Sequence, residues 1–355
     1  MPSTDTALFT VTDSAAICSS STHSQTDGIN TLDVASAVGL FDQQDASHLP
    51  SHLVLHEASV ALAISKAYPT SDDFRTVVST RLQYTIHELA RAPHRTVHEN
   101  GTPWCHPSLY ADEMPRPMQD AQACCALYLA KRDANAHAVL GTVEGRAAEL
   151  AAAAPPPPGT ARLVDLLARA HALLLYQIIR LFDNDLALRA GPGAAAHTAA
   201  LQAAVFRLQD GLLRQPPPRP AGAPAPLPLF PLGAARAAWT AWVQCESARR
   251  TVLIGSVVAQ LYRRVRGPAA AVPCDAALWW CEWTPSAGLW RSEDAAEFAV
   301  AWNRSRREPV TVAGFVGGLA EVEADDVDVF GRMLLTPLLG IDEAKGWFLS
   351  KGGEL

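Results

Sequence analysis

The segment TPWCHPSLY, residues 102–110, brings together residue types that can bind a metal ion or act on a substrate. Cys105 and His106 offer a thiolate and an imidazole, and His94 and His98 offer two more imidazoles one helical turn apart. These are the usual zinc ligands in proteins. Adjacent residues such as Cys105 and His106, however, are awkwardly placed to bind one ion together. The spacing argues against a zinc site, and we expect neither a metal ion nor a cofactor.

The same segment has the composition of a rigid corner. Pro103 and Pro107 restrict the backbone and cannot donate a hydrogen bond within a helix. Trp104, between them, is large enough to fill a gap between packed helices. We therefore predict a structural corner, whose reactive residue types take no part in chemistry.

The seven cysteines offer no nucleophile either. They stand at positions 18, 105, 124, 125, 245, 274 and 281, and no two of them form a C-x-x-C pair. Cys124 and Cys125 lie in the apolar stretch AQACCALYLA, and apolar surroundings raise the pKa of a thiol. We expect free, mostly buried thiols and no catalytic residue.

The helix predicted over 239–258, WTAWVQCESARRTVLIGSVV, carries an acid and a base on an otherwise apolar face. At about 100° per residue, one face of roughly 80° holds Trp239, Trp242, Glu246, Arg250, Leu253 and Val257. Glu246 precedes Arg249 by three residues and Arg250 by four, so either guanidinium can pair with its carboxylate. A guanidinium within reach keeps a carboxylate ionised, which makes it a poor proton donor. The pattern favours a buried structural pair over a catalytic acid.

Tryptophan is concentrated towards the C-terminal end of the chain. The sequence WWCEW at 279–283 and two later residues make a set of five: Trp279, Trp280, Trp283, Trp290 and Trp302. Aromatic side chains at this density line either a packed core or an apolar ligand cavity. Both interpretations stay open, and the second suits a flat hydrophobic metabolite.

Apolar residues recur every three or four positions along most of the chain, which predicts helices. The predicted helices cover residues 74–92, 118–153 with a break at 133–135, 160–189, 196–213 and 234–265. Proline-rich stretches near 151–160 and 215–231 cannot continue a helix and are predicted as loops. No stretch alternates with a period of two, so we expect no sheet. The predicted class is all-α, a bundle of at least seven helices.

Residues 1–30 are rich in Ser, Thr and Asp with little periodicity, which predicts a disordered tail before a helical domain over 31–355. The formal net charge is −7 and the first Lys or Arg is Lys66, so the N-terminal part has no positive charge to attract DNA or acidic lipid. No secretory or import signal opens the sequence. Charged residues interrupt the longest apolar stretch, 163–188. We expect no membrane span and an address inside the cell.

Part of the predicted tryptophan-bearing helix, WTAWVQCESARRTVL, resembles the middle homology region of fungal transcription factors. Three further blocks resemble the same family in the same order: RLQYTIHELARAPHRTVHENGTPWCHPSLY at 81–110, MPRPMQDAQACCALYLAKRDANA at 114–136 and LLARAHALLLYQIIRLFDNDLALRA at 166–190. Residues 325–348 are similar in character to the tail of such proteins. The resemblance implies a helical regulatory domain of the kind that usually follows a binuclear zinc-cluster DNA-binding domain.

DNA-binding members of that family carry six cysteines in a short basic segment that holds two zinc ions. Cys18 is the one cysteine in the first hundred residues. This sequence therefore resembles the regulatory domain without the DNA-binding domain. A sequence that has lost an upstream exon would look the same.

The resemblance implies a nuclear or nucleocytoplasmic regulator of transcription that contacts other transcription regulators and does not itself bind DNA. Regulators of this kind often act on secondary-metabolite gene clusters. The alternative is a repurposed domain that binds a hydrophobic metabolite or acts as a biosynthetic enzyme of such a cluster.

Overall fold

In a computed structural model, the chain folds almost entirely into α-helices. The structure describes residues 82–157, 159–184, 191, 193–214, 226–265, 281–304 and 308–355, without the side chains of residues 260 and 263–265.

A proline lies at the start of the second helix and not at the end of the first. Residues 82–90 form helix α1, and Ala92–His98 form α2. Pro93 lies in the first turn of α2, where a helix has no use for its missing N–H. The helix predicted to end at Pro93 is therefore two helices, since Pro93 opens the second one. The predicted start, residues 74–81, lies outside the described residues.

The next two helices are separated where the sequence predicts a break. Helix α3 spans Arg116–Leu129 and α4 spans Ala136–Ala152. A proline again occupies the first turn of α3. Helix α4 ends just before the proline run that begins at Pro155, because proline cannot extend a helix.

Three long helices form the centre of the fold. They are α5 (Leu163–Phe182), α6 (Ala194–Arg214) and α7 (Gly233–Val265), and each packs against the other two. Helix α5 is buried along nearly its whole surface. Helices α6 and α7 approach closely at Gly255, where an added Cβ would lie 2.7 Å from Val205 Cγ2.

The rest of the chain consists of short elements. Strands β1 (Glu282–Trp283) and β2 (Val310–Thr311) pair in antiparallel fashion, with Trp283 opposite Val310. The helices are α8 (Ala287–Trp290), α9 (Ala295–Arg304), α10 (Val312–Gly317), α11 (Val329–Leu339) and α12 (Ile341–Ser350), with a 3-10 turn at Ala324–Asp326. Asp328 caps α11, because its Oδ1 accepts a hydrogen bond from the Gly331 amide at 3.0 Å.

The predicted all-α class is confirmed. Helices α6 and α7 match their predicted ranges closely, whereas α5 ends at Phe182, several residues earlier than predicted. Among the described residues, the short β1–β2 pair is the one sheet. Within the predicted loop at 215–231, residues 226–231 are described and are not helical, and residues 1–30 lie outside the description. In the described part of the chain, no helix is both long and apolar enough to cross a bilayer.

Gly331 in α11 is packed so closely that a side chain does not fit. An added Cβ would lie 2.7 Å from Val327 Cγ1 and 2.8 Å from the Trp283 ring. We expect Gly331→Ala to lower the free energy of unfolding by about 1–3 kcal/mol, the usual cost of overpacking. Gly346→Ala in α12 is the matched control, since a Cβ there meets nothing within 4 Å and alanine favours a helix. Chemical denaturation measures both; equal stability of the two variants would contradict the packing.

Candidate functional site

The acid and base predicted on α7 lie in the interior. Glu246 and Arg250 are both 0% exposed. Arg250 Nε donates a hydrogen bond to Glu246 Oε1 at 3.0 Å. Arg249, whose side chain is 15% exposed, donates from Nη1 to Glu246 Oε2 at 3.4 Å. The carboxylate thus has two guanidinium partners within its own helix.

Thr284, which follows β1, completes the environment of the carboxylate. Its backbone N–H donates to Glu246 Oε1 at 2.9 Å, and its hydroxyl donates to Oε2 at 2.8 Å. Glu246 therefore accepts four hydrogen bonds and has no contact with water. Hydrogen bonds to a carboxylate are strong when they are buried, and the two from Thr284 join α7 to the loop after β1.

Arg250 reaches in the opposite direction, towards the corner and α11. Its Nη1 donates to the Pro103 carbonyl at 3.0 Å and to Asp328 Oδ2 at 2.6 Å. The centre of its guanidinium lies 3.7 Å from the Trp290 ring centroid and 5.0 Å from that of Phe330, within the range of a cation–π contact. One side chain thus connects four segments: α7, the corner, α8 and α11.

We call Glu246, Arg249, Arg250, Thr284 and Asp328 the α7 ion cluster. It contains two guanidinium groups and two carboxylates, so its formal charges balance. Because every carboxylate oxygen in it accepts a hydrogen bond, the cluster has the chemistry of a joint between segments rather than that of a proton donor.

The segment TPWCHPSLY forms a tight corner beside this cluster. The Thr102 amide donates to the Cys105 carbonyl at 2.9 Å, and the Cys105 amide donates back at 3.2 Å. Trp104 is 1% exposed. Burial raises the pKa of the Cys105 thiol to about 12, which leaves it unreactive. Burial, and then the charge of Arg250, lower the pKa of His106 to about 4.

A buried relay of three side chains ties the corner to α5 and α7. Tyr110 Oη lies 2.8 Å from His171 Nδ1, and His171 Nε2 lies 2.7 Å from Thr251 Oγ1. Thr251 donates its own hydroxyl proton to the Ser247 carbonyl, so it accepts from His171. Therefore Nε2 of His171 carries the proton and Tyr110 donates to Nδ1. Burial lowers the pKa of His171 to about 3, which keeps the ring neutral.

A second buried ionic cluster lies near the end of α5. Arg180 is 0% exposed; its Nη1 donates to Gln177 Oε1 at 3.0 Å, and its Nη2 contacts Glu144 and His197. Burial, and then the charge of Arg180, lower the pKa of His197 to about 4. Sequence reasoning missed this cluster, although one signal was present: Arg180 is a charged residue inside a largely apolar helix.

The five tryptophans of the predicted set lie in different environments. Trp279 and Trp280 lie outside the described residues. Trp283 is 0% exposed and packs against Phe315 and Phe330, and Trp302 is 8% exposed beside Phe298. Trp290 is 9% exposed; of the three described members, it lines an open groove, whereas the other two fill the core.

The two tryptophans predicted to flank the acid on α7 also have aromatic neighbours. Trp242 is 8% exposed, with its ring centroid 6.3 Å from that of Trp290. Trp239 is half-buried and lies edge-on to His106 at 6.2 Å between ring centroids. The apolar end of the α7 face therefore packs against the corner and α8.

The groove has a volume of about 810 Å³ and adjoins the α7 ion cluster. Its lining includes Pro103, Trp290, Asp328 and Phe330, and each of these also contacts Arg250. The exposed rim carries charges of both signs. Three of the four segments that Arg250 connects, namely the corner, α8 and α11, thus also line the groove.

The metal ligands considered in the sequence are not assembled into a site. The His94 and His98 rings lie against each other with centroids 4.3 Å apart and planes tilted by 40°, while Cys105 and His106 are buried in the corner. Within the described ranges, no group of three or more His, Cys, Asp or Glu side chains is placed to hold a metal ion. Burial also raises the pKa of Cys125 to about 12, which removes its thiolate character.

The chain is similar to a fungal transcription factor. Over 278 residues it is 30% identical to Transcription factor gsfR2 of Penicillium aethiopicum, a match that covers 78% of this chain and 63% of that protein. The chain therefore spans less than two thirds of the length of this relative. No family model matches the sequence, and no solved structure is significantly similar to it. The similarity relates most of this chain to part of a fungal transcription factor.

Proposed function

We propose that the chain regulates transcription through contacts with other transcription regulators. The observation that carries the proposal is the 30% identity to Transcription factor gsfR2, which extends over 78% of this chain. A similarity of that extent includes most of the helical body and not a single motif. The four blocks that resemble the fungal regulatory domain point to the same role.

The chemistry of the described interior supports a scaffold. Glu246 accepts hydrogen bonds on both oxygens, and burial raises the pKa of the Cys105 and Cys125 thiols. His106 and His171 are kept neutral by burial. A site of this kind holds segments in place, which suits a regulatory domain better than an enzyme.

Exposed apolar side chains support a role in protein contact. Phe206 and Leu213 lie seven residues apart on α6 and are 57% and 79% exposed, and Phe230, just before α7, is 91% exposed. Contiguous exposed apolar surface is typical of sites that bind other proteins, and we propose that the face of α6 with Phe206 and Leu213, two helical turns apart, makes such a contact.

The finer parts of the proposal concern location and target. We propose that the chain acts in the nucleus, does not contact DNA directly, and controls a secondary-metabolite gene cluster. These parts follow from the resemblance of the sequence to the regulatory domain of zinc-cluster factors.

Deletion of the gene in its source organism separates a regulator from a biosynthetic enzyme. Loss of a regulator lowers the transcripts of a set of neighbouring genes, whereas loss of an enzyme changes metabolites and leaves transcripts at their usual level. RNA sequencing and metabolite profiling of the same cultures measure both. Unchanged transcripts with an accumulated intermediate would contradict the proposal.

Purification of the tagged full chain from nuclear extracts tests the mode of action. We expect a second transcription regulator to co-purify, and we expect reporter expression when the full chain is fused to an unrelated DNA-binding domain. That DNA-binding domain alone is the control. A chain that is excluded from nuclei and is silent as a fusion would overturn this mechanism.

A further inference from the structure

We propose that the exposed face of α6 pairs with the same face of a second copy of this chain, with the two helices antiparallel. The proposal rests on the role of this face in protein contact, and it adds the partner and the arrangement. We call the face the α6 stripe. It contains six exposed residues within a sector of roughly 80°: Ala195, Ala199, Ala203, Phe206, Asp210 and Leu213.

Little charge faces the solvent along the α6 stripe. Asp210 is its one charged residue, and Phe206 and Leu213 are 57% and 79% exposed. A helix on a protein surface normally turns charged and polar residues outward and apolar residues inward. The opposite face of α6 already packs against α4, α5 and α7. Because α6 is largely apolar on both faces, we expect a partner on the outer one.

The sizes of the residues along the α6 stripe favour an antiparallel copy. Its amino-terminal half consists of alanines, at 195, 199 and 203, whereas its carboxy-terminal half carries Phe206 and Leu213. In a parallel pair, alanines would face alanines, which leaves a gap at that end. In an antiparallel pair, Leu213 of each copy lies over the alanines of the other, and the two Phe206 side chains lie side by side near the centre. The antiparallel pair therefore packs evenly along its length, as protein interiors do.

The charges along one edge of the α6 stripe are consistent with the same arrangement. Arg207, Asp210 and Arg214 lie on one side of α6, within a sector of about 60°. Two antiparallel helices related by a two-fold axis bring the same edge of each copy together. With Leu213 over the alanines of the other copy, Asp210 of each copy lies near Arg207 of the other. Exposed ion pairs contribute little to affinity, but they favour one orientation over the reverse.

Symmetry limits the assembly to two chains. Because both copies use the same stripe, no stripe is left open for a third chain. The stripe extends over about 27 Å from residue 195 to residue 213, so the contact involves little more than one pair of helices. Stable complexes bury about 1,200–2,000 Å² in total, and a contact of this kind lies at the lower end of that range. We therefore expect a dimer that forms reversibly.

Analytical ultracentrifugation of the full chain over a range of concentrations tests the proposal. We expect a reversible equilibrium between monomer and dimer. Phe206→Glu and Leu213→Glu each place a charge in the contact and should raise the dissociation constant at least about tenfold. Phe230→Glu is the matched control, because Phe230 is 91% exposed and lies outside α6. It should dimerise like the original chain.

Cysteine cross-linking tests the antiparallel arrangement. In that arrangement the two copies of residue 209 lie close together, whereas the two copies of residue 199 lie about 26 Å apart. We expect Gln209→Cys to form a disulfide-linked dimer under mild oxidation and Ala199→Cys, its control, to form none. The original chain gives the background from its own cysteines, and non-reducing electrophoresis measures the linked fraction. Equal linking at both positions would contradict an antiparallel pair.

The possible outcomes separate this partner from the others. A chain that is monomeric at every concentration, or a dimer that survives both glutamate variants, would overturn the second copy. If the chain is monomeric and the variants lose a co-purified regulator, the stripe binds that regulator instead. If they unfold well below the temperature of Phe230→Glu, another segment of the same chain covers the stripe. Each of these results contradicts the dimer, and the reporter and transcript measurements still test the regulatory role on their own.

Discussion

Replacing Glu246 by glutamine is expected to lower the free energy of unfolding by about 3–5 kcal/mol, the usual cost of breaking a buried ion pair. The side chain keeps nearly the same volume, so the loss reports charge and hydrogen bonding and not a cavity. Arg249 and Arg250 lose the carboxylate between them. The new amide N–H₂ must also face a donor, because both oxygens of Glu246 accept from donors.

Glu149→Gln is the matched control for this experiment. Glu149 is also paired with an arginine three residues away, Arg146, but its side chain is 68% exposed. Surface pairs of this kind contribute about 0–1 kcal/mol, so the control should differ little from the original chain. Urea denaturation followed by circular dichroism measures both variants. A loss no larger than that of the control would show that the α7 ion cluster does not hold the fold together.

Acidification from pH 7 to pH 5 is expected to lower the free energy of unfolding by about 6 kcal/mol in total, roughly 2 kcal/mol for each of three buried histidines. His106, His171 and His197 are 2%, 1% and 5% exposed. Burial lowers their folded-state pKa values to about 4, about 3 and about 4. Unfolded histidine has a pKa of about 6.5.

The sign of the effect follows from where the protons bind. Between pH 6.5 and pH 4 the unfolded chain binds protons at these histidines and the folded chain does not. Stability is therefore fully present above about pH 6.5 and is lost as the pH falls towards the folded values. Equilibrium denaturation at a series of pH values measures the slope, and a flat profile from pH 7 to pH 5 would contradict it.

Replacing one of the three histidines tests its share of this pH dependence of the free energy of unfolding. His171→Gln should remove about one third of it, whatever the variant costs in stability at neutral pH, because it removes one of three titrating groups. His137→Gln, on the exposed face of α4, is the control and should keep the full slope. If both variants kept it, the acid sensitivity would have to come from other groups.

The helical part of the fold could be predicted from the sequence because helix formation depends on neighbours three and four residues apart. The break between α3 and α4, the bounds of α6 and α7, and the shared face of Glu246 and Arg250 are all local properties. Pro93 shows the limit of such reasoning. Proline is compatible with the first turn of a helix as well as with the end of one, and the sequence does not distinguish the two.

The partners that surround the acid and base could not be predicted, since they come from distant parts of the chain. Thr284 lies 38 residues from Glu246, and Asp328 lies 78 residues from Arg250. The relay from Tyr110 through His171 joins residues 61 and then 80 positions apart. No spacing rule connects such pairs.

By itself, the sequence determined the class of fold, the long helices and the presence of an acid and a base on one apolar face. Tertiary structure alone decided that the carboxylate accepts four hydrogen bonds, that Arg250 joins four segments, and that Trp290 faces a groove while Trp283 and Trp302 fill the core. The physical reason is range: backbone periodicity acts within one or two turns, whereas burial and hydrogen bonding between side chains depend on which distant segments the packed chain brings together.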